Sequence, residues 1–478
     1  MIDTLIIGTG FGGLCMGAKL RDAGRDDFVI LEKADGVGGT WRENTYPGAE
    51  CDIASAFYSY SFWPNPGWDF KWAKQPQILK YLNDFADAFD LRRHIEFGQT
   101  VTGATYDNAG FWTVYLADGS SRQCRFLVSA IGQLHHPKTP EVSGHSDYQG
   151  ASFHSAEWDH SFDMTGKEIA VIGNAASAIQ LIPEVAKAAK NLTVYHRSPN
   201  WILPKKDRAY TRLETWLGKR FPALGKLYRF SLWCQGEYFI WPMIKGRRVR
   251  SWLGEQWCKW GLRQHIKDKD LRAKLTPDFP IGAKRVLLSD KIYPALARDN
   301  VDVVTKGVDH FTSDGIETVD GTKRQHDAVI FATGFYSNPF LKSLNVIGED
   351  GLALTDHWAD GAQAYMGTMT SGFPNLFILY GPNTNTGHTS IVYKLEHQIA
   401  LVLQLLDKAG TGAIAVDPEA EAEFNIEMQS RLKKLAWSQV EASWYKVGEK
   451  VTNNWPGSSV EYRRRMHTPI WDHFEVKP

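Results

Sequence analysis

The hydrophobic pattern opens with an apolar run, Thr4 to Ile7, that breaks into a glycine turn, Gly8 to Gly13. A helical spacing of apolar positions follows over Leu14 to Ala23, and a second apolar run leads from Phe28 to Glu32. Short β-rich runs bounded by turn residues read as buried strands, so the segment is a strand, turn, helix and strand. The same order returns at Glu168 to Ile172, Gly173 to Ala178, Ile179 to Lys190 and Leu192 to His196. Two mononucleotide-type folds on one chain predict an α/β fold class with two Rossmann-like dinucleotide-binding domains.

The pattern loses its period between Gln133 and Gly166, where His, Pro, Gly and Asp collect, as they do in a crossing between domains. The expected division is a first domain over residues 1–140 and 338–478, an interdomain linker over 141–159, and a second domain over 160–335. A return crossing is expected near Phe335 to Asn338, after the apolar run Ala328 to Ala332. Residues 209–274 have helical texture and interrupt the second fold, which makes them a helical insertion. Trp216, Trp233, Trp241, Trp252, Trp257 and Trp260 stand there with Arg247, Arg248 and Arg250. Aromatics at helical spacing predict helices packed on the body of the protein; an interfacial membrane anchor is the other reading. Nowhere do about eighteen apolar residues run together, so no spanning helix is expected. Later a turn, Gly381 to Gly387, leads into a long helical pattern over Thr389 to Lys408. Trp437, Trp444, Tyr445 and Trp455 could line a pocket but read first as core.

Charge narrows the partners. The 478 residues hold 54 basic and 54 acidic side chains, so no global field favours nucleic acid or an anionic membrane, and small molecules are the expected ligands. Cys15, Cys51, Cys124, Cys234 and Cys258 show neither the CxxC spacing of a redox pair nor the clustering of a metal site. Met1 runs into a strand pattern within three residues, leaving no room for a secretory signal, and a reducing cytoplasm is the expected compartment.

The two turns carry the candidate chemistry. Gly8, Gly10 and Gly13 stand where missing side chains permit a tight turn, close approach of a pyrophosphate and close helix packing; an ordinary tight turn is the bland alternative. Glu32 ends the next strand, placed to accept from ribose hydroxyls and to repel a 2′-phosphate, which favours FAD or NAD. The second turn, Gly173, Asn174, Ala175, Ala176, Ser177 and Ala178, has alanine where further glycines would stand. His196 and Arg197 replace the acid, and a cation there suits the 2′-phosphate of NADPH, unless Arg197 is only a solvated charge. An FAD-type loop and an NADPH-type loop together would move hydride from nicotinamide to flavin. A disulfide reductase would need a cysteine pair that the sequence lacks.

Gly38, Gly39, Thr40, Trp41, Tyr46, Pro47, Gly48 and Asp52 match the GGxWxxxxYPGxxxD signature of the Baeyer-Villiger monooxygenases, which this sequence resembles. Tyr148, Gly150, His154, Trp158 and Asp159 are similar to the family's FxGxxxHxxxW signature, with Tyr in place of Phe. The segment Gly282 to Asp290, with Lys284 and Arg285, and the stretches Phe331 to Phe335 and Gly381 to Asn385 also resemble family motifs. Departures are Ala175, Tyr148 and the lack of an N-terminal extension found in many relatives.

The resemblance implies an NADPH- and O2-dependent flavoenzyme that inserts one oxygen atom beside a ketone carbonyl, through a flavin peroxide, to give an ester or lactone. Arg285 would be the catalytic cation and Asp52 the residue that pairs with it. Gly39, Thr40, Trp41 and Asn383 would join the FAD site; Arg197, Ser198 and Lys284 would hold the 2′-phosphate of NADPH, with Lys205 and Lys206 a solvated face. His154 and Trp158 would govern how the domains move. The start of the C-terminal helix at Thr389 and Ser390 would favour negative charge on the flavin, or be an ordinary capped helix. Oxygenation of N or S atoms is the alternative activity, and an uncoupled oxidase or nucleotide sensor a third.

Overall fold

Strand Ile2–Ile7 sits inside the first sheet, paired in parallel with Phe28–Glu32 on one side and Ser121–Ser129 on the other. Thr4 to Ile7 are all buried, as a strand covered on both faces requires. The computed structural model describes the chain except residues 246, 247, 337–339, 342, 441–443 and 478, so Arg247 and the Asn338 end of the expected return crossing lie outside the described residues.

Helix Phe11–Asp22 covers this sheet despite three glycines, which are poor helix formers. Its closeness explains Gly17, where a Cβ would stand 3.0 Å from Ile30 and 3.2 Å from Phe28. Behind it lies the long helix Ile391–Ala409, whose Val392, Leu395, Ile399, Val402 and Leu406 recur at three- and four-residue spacing and are buried. Strands Asn345–Ile347 and Leu376–Ile378 also join the first sheet. Late chain and early chain therefore share one core.

The second sheet has five parallel strands in the order Val301–Val304, Asn191–Tyr195, Glu168–Ile172, Ala328–Phe331 and Ala151–His154. Within the linker expected over 141–159, Ala151–His154 is an edge strand hydrogen-bonded to Ala328–Phe331. Four residues are too few for a period to show. Pro137 and Phe335 form a bridge, so outgoing and returning segments lie side by side. Both nucleotide-fold helices begin earlier than the apolar spacing suggests, at Phe11 and Ala176, because their first turns are small residues pressed against strands.

Between Tyr195 and Val301 the chain forms the helices Arg212–Arg220, Pro222–Gln235, Arg248–His265 and Lys269–Lys274. The parallel pair Ile202–Leu203 and Leu287–Leu288 closes the base of this excursion. Among the described residues no helix is long and apolar enough to cross a membrane.

Candidate active site

The first loop is built by backbone proximity. Gly8 lies at φ +101° and its N–H donates to the Leu31 carbonyl at 2.8 Å. A Cβ at Gly13 would fall 1.9 Å from the Gly8 carbonyl oxygen, so only glycine fits. Gly10 precedes the helix and offers no side-chain cap, which leaves the first helical amides free for a phosphate. Glu32 is buried and accepts from Thr9 N (2.9 Å), Thr9 Oγ1 (2.6 Å) and Ala34 N (2.9 Å). A glycine floor, an uncapped helix start and a fixed carboxylate fit the pyrophosphate and ribose of FAD.

The signature from Gly38 to Asp52 joins this loop to the second fold. Gly39, at φ +51°, is so close to Gly10 that its Cβ would stand 3.0 Å from the Gly10 Cα. Thr40 opens the short helix Thr40–Glu43, and Trp41 Nε1 donates to the Tyr58 hydroxyl at 3.1 Å. At the other end, Tyr46 donates its hydroxyl to Gln180 Oε1 at 2.8 Å, and a Cβ at Gly48 would meet the Gln180 carbonyl oxygen at 2.4 Å. Gln180 belongs to helix Ala176–Ala188 of the second fold and also donates to the Glu50 carbonyl at 2.9 Å.

Beside this contact, Lys205 Nζ lies 2.5 Å from Glu50 and donates to the Cys51 carbonyl at 3.0 Å, while Lys74 pairs with Glu50 and Asp207. Burial pushes the Glu50 carboxyl up, but Lys205 and Lys74 outweigh it and hold the group below the usual carboxylate range. Lys205, with a side chain only 2% exposed, is therefore no solvated face. A charge that deep persists because it is paired.

Two residues on, Asp52 Oδ2 accepts from Arg285 Nη2 at 2.5 Å. The partners are 233 positions apart, and their side chains remain 21% and 37% exposed. Asp52 raises the Arg285 guanidinium above its ordinary value against the opposing effect of burial. Burial also pushes Tyr445 up to about 12, and Tyr380 and the Cys51 thiol higher still, so these neighbours are neutral at any working pH. Tyr58 and Tyr380 as neighbours of the pair escaped the sequence reading, since they come from distant turns, and Tyr445, read there first as core with pocket lining as the other reading, stands beside Arg285.

Tyr380 has φ +60° and is fixed by Gln398, which accepts from its N–H at 2.9 Å, and by Gln133, which donates to its carbonyl at 2.7 Å. Asn383 has φ +55° and spends its side-chain amide on the Val451 and Asn454 carbonyls at 2.9 and 3.0 Å, locking the turn. Ser390 Oγ accepts from Val392 N at 3.2 Å and caps helix Ile391–Ala409.

In the second loop Gly173 lies at φ +122°, where a Cβ would meet the Ala332 carbonyl oxygen at 2.3 Å. Asn174 donates to the Ser198 carbonyl at 2.7 Å, and Ala175 precedes the helix without capping it, leaving its amides open as in the first loop. Ser177 is the second residue of that helix and lies beside the Tyr46 hydroxyl. Lys284 Nζ donates to Ser198 Oγ at 3.0 Å, and Arg197 is exposed and close enough to lower the Lys284 pKa, although burial of Lys284 is the larger cause. Among the described residues no carboxylate forms an ion pair with either cation. Asp278 acts on Lys284 from a distance without pairing with it, and two unpaired cations beside a hydroxyl fit an added phosphate on NADPH.

His196 does not belong to that cluster. It turns into the core, neither ring nitrogen has a partner, and burial pushes it down to about 4, so it is neutral and the cation at this strand end is Arg197 alone. Both residues lie just past strand Asn191–Tyr195, and one side chain is buried while the next is exposed, a split that residue type alone does not show.

His154 ends the edge strand and is buried; its Nδ1 accepts from Ala156 N at 3.1 Å and burial lowers its pKa. Trp158 packs edge-on against Phe153 at 5.1 Å, beside the second core. Tyr148 donates its hydroxyl to the His326 carbonyl at 2.7 Å, which accounts for a phenol where phenylalanine would do.

A family profile described as pyridine nucleotide-disulphide oxidoreductase matches residues 5–231. All five cysteines are free, so the likeness concerns nucleotide binding rather than a disulfide. The chain is 41% identical over 465 residues to a "Baeyer-Villiger monooxygenase" of Pseudomonas aeruginosa, covering 96% of this chain and 88% of that protein. Among solved structures it resembles OTEMO in complex with FAD and NADP, at TM-score 0.91 and 28% identity over 99% of each chain. It also resembles the closed form of cyclohexanone monooxygenase, at TM-score 0.89 and 27% identity over 100% of this chain and 99% of the other.

Proposed function

Since the chain belongs to the Baeyer-Villiger monooxygenase family, we propose that Arg285, positioned by Asp52, is the fixed positive charge around which its oxygen-insertion chemistry is arranged. The protein is an FAD- and NADPH-dependent monooxygenase that uses O2 and a small-molecule substrate. The reaction is insertion of one oxygen atom next to a ketone carbonyl, giving an ester or lactone. When bound, FAD reduced by NADPH supplies the electrons that activate dioxygen.

Arg285 stays protonated at every working pH, so it acts as a donor of hydrogen bonds and charge rather than as a base. It balances negative charge on the attacking oxygen and on the tetrahedral oxyanion formed from the ketone. Asp52 holds the guanidinium in one orientation and adds little repulsion because its own charge is spent on the pair. The neutral hydroxyls of Tyr380 and Tyr445 keep the surroundings of Arg285 polar without supplying a competing charge.

Gly8, Gly10, Gly13 and Glu32 carry the pyrophosphate and ribose of FAD, with Gly39, Thr40, Trp41, Asp52 and the Asn383 turn along the rest of it. Gly173, Asn174, Ala175 and Ser177 form the pyrophosphate loop for NADPH, and Arg197, Ser198 and Lys284 receive its 2′-phosphate. His154 and Trp158, on the edge of the second sheet, set the position of that fold against the first. Five unpaired cysteines suit the reducing cytoplasm.

The observation that carries this reading is the 2.5 Å contact between Asp52 and Arg285 at the junction of the two folds. Yellow, FAD-loaded protein incubated with NADPH, 18O2 and a panel of ketones should give esters or lactones bearing one heavy oxygen by mass spectrometry. Sulfoxides or N-oxides alone, or hydrogen peroxide alone, would reject it.

A further inference from the structure

The balanced charge of the chain hides a local imbalance. Residues 209–274 hold fifteen lysines and arginines against five acids, so the helical insertion carries about ten positive charges that the remaining chain offsets. The same 66-residue stretch supplies thirteen of the twenty-one exposed large hydrophobic side chains among the described residues. Cations and apolar groups thus concentrate on one excursion from the body.

Helix Arg248–His265 shows how. A surface helix ordinarily has one apolar stripe turned to the core and polar residues opposite. Here Gly254, Cys258, Gly261 and Leu262 face inward and are buried, with Gly261 against Pro204. On the other face Val249 (71% exposed), Leu253 (54%), Trp257 (45%) and Trp260 (53%) form a second stripe at three- and four-residue spacing. The stripe continues onto the preceding helix. Arg250 donates to the Tyr238 carbonyl at 2.8 Å, the Tyr238 ring meets Trp233 at 6.1 Å, and Trp233 stacks on Phe230 at 5.5 Å.

A second copy of the chain is a poor cover for this face, because a symmetric contact would bring two strongly basic surfaces together. Tryptophan and leucine flanked by lysine and arginine are instead the composition of helices that lie in a lipid interface, where rings sit at headgroup depth and cations meet anionic headgroups. We propose that the helical insertion docks on an anionic lipid surface with the exposed face of helix Arg248–His265 embedded in the headgroup layer. The packed-helix expectation then describes only the inner face of the insertion. Apolar ketones dissolve in the same layer, so docking places the enzyme beside a reservoir of substrates.

FAD-loaded full-length protein should float with vesicles of phosphatidylcholine mixed with phosphatidylglycerol, by roughly tenfold over phosphatidylcholine alone, and high salt should remove the difference. The double variant Leu253→Gln and Trp257→Gln should reduce flotation about tenfold while keeping its yellow colour and monomer mass. Native protein that floats with neither vesicle overturns the proposal, whatever the variant does. So does undiminished flotation of a folded variant, which leaves charge alone, or a native dimer that the variant splits without any vesicle binding, which assigns the face to a second copy.

Discussion

The two nucleotide loops share a plan and differ in how finished they are. In the first, Glu32 is buried and already bound by Thr9 and Ala34, and Gly39 closes against Gly10. In the second, Arg197 is exposed, Lys284 donates to the Ser198 hydroxyl, and among the described residues no carboxylate forms an ion pair with either cation. A site organised before its ligand arrives loses little freedom on binding and suits a cofactor that stays. One whose cations have no ion-pair partner suits an anionic co-substrate that must come, react and leave. On the proposed assignment, the contrast suits a resident FAD and an NADPH that turns over.

The sharpest break of that contrast is Gly13→Ala. With the Gly8 oxygen 1.9 Å from the new methyl, the loop has no room, and the purified variant should be colourless and not recover FAD in an absorbance titration. A yellow variant would mean the turn is softer than its geometry. Next in size, Arg197→Ala and Lys284→Ala should each raise the KM for NADPH about ten- to a hundredfold with little change for NADH. Steady-state kinetics with both nucleotides reads this directly, and an unchanged ratio removes the residue from the phosphate site. The smallest effect is expected from Ala175→Gly, which restores a glycine to the second loop and should lower the KM for NADPH about twofold without touching FAD content.

Both loops were legible in the sequence because turn chemistry is local: a strand, glycines at fixed offsets and a following helix lie within about 30 residues. The junction was not. Gly48 makes sense only beside Gln180, and Lys205 only beside Glu50, contacts that span 132 and 155 positions and leave no periodic trace. Edge strand Ala151–His154 hid in a His- and Pro-rich stretch for the same reason, being too short to alternate visibly. His196 misled in the other direction, since its residue type suggested charge while its burial keeps it neutral. The outward stripe on helix Arg248–His265 was visible as aromatic spacing, but spacing cannot say which of two apolar faces meets the core.

The most direct test of the central pair separates the half-reactions in Arg285→Ala. Anaerobic stopped-flow should show NADPH bleaching the flavin at close to the native rate, because Lys284 and Arg197 remain. Ester or lactone from one turnover with ketone and oxygen should fall about a hundred- to a thousandfold. Native product yield in the variant, or loss of flavin reduction equal to the loss of product, would contradict the role given to Arg285.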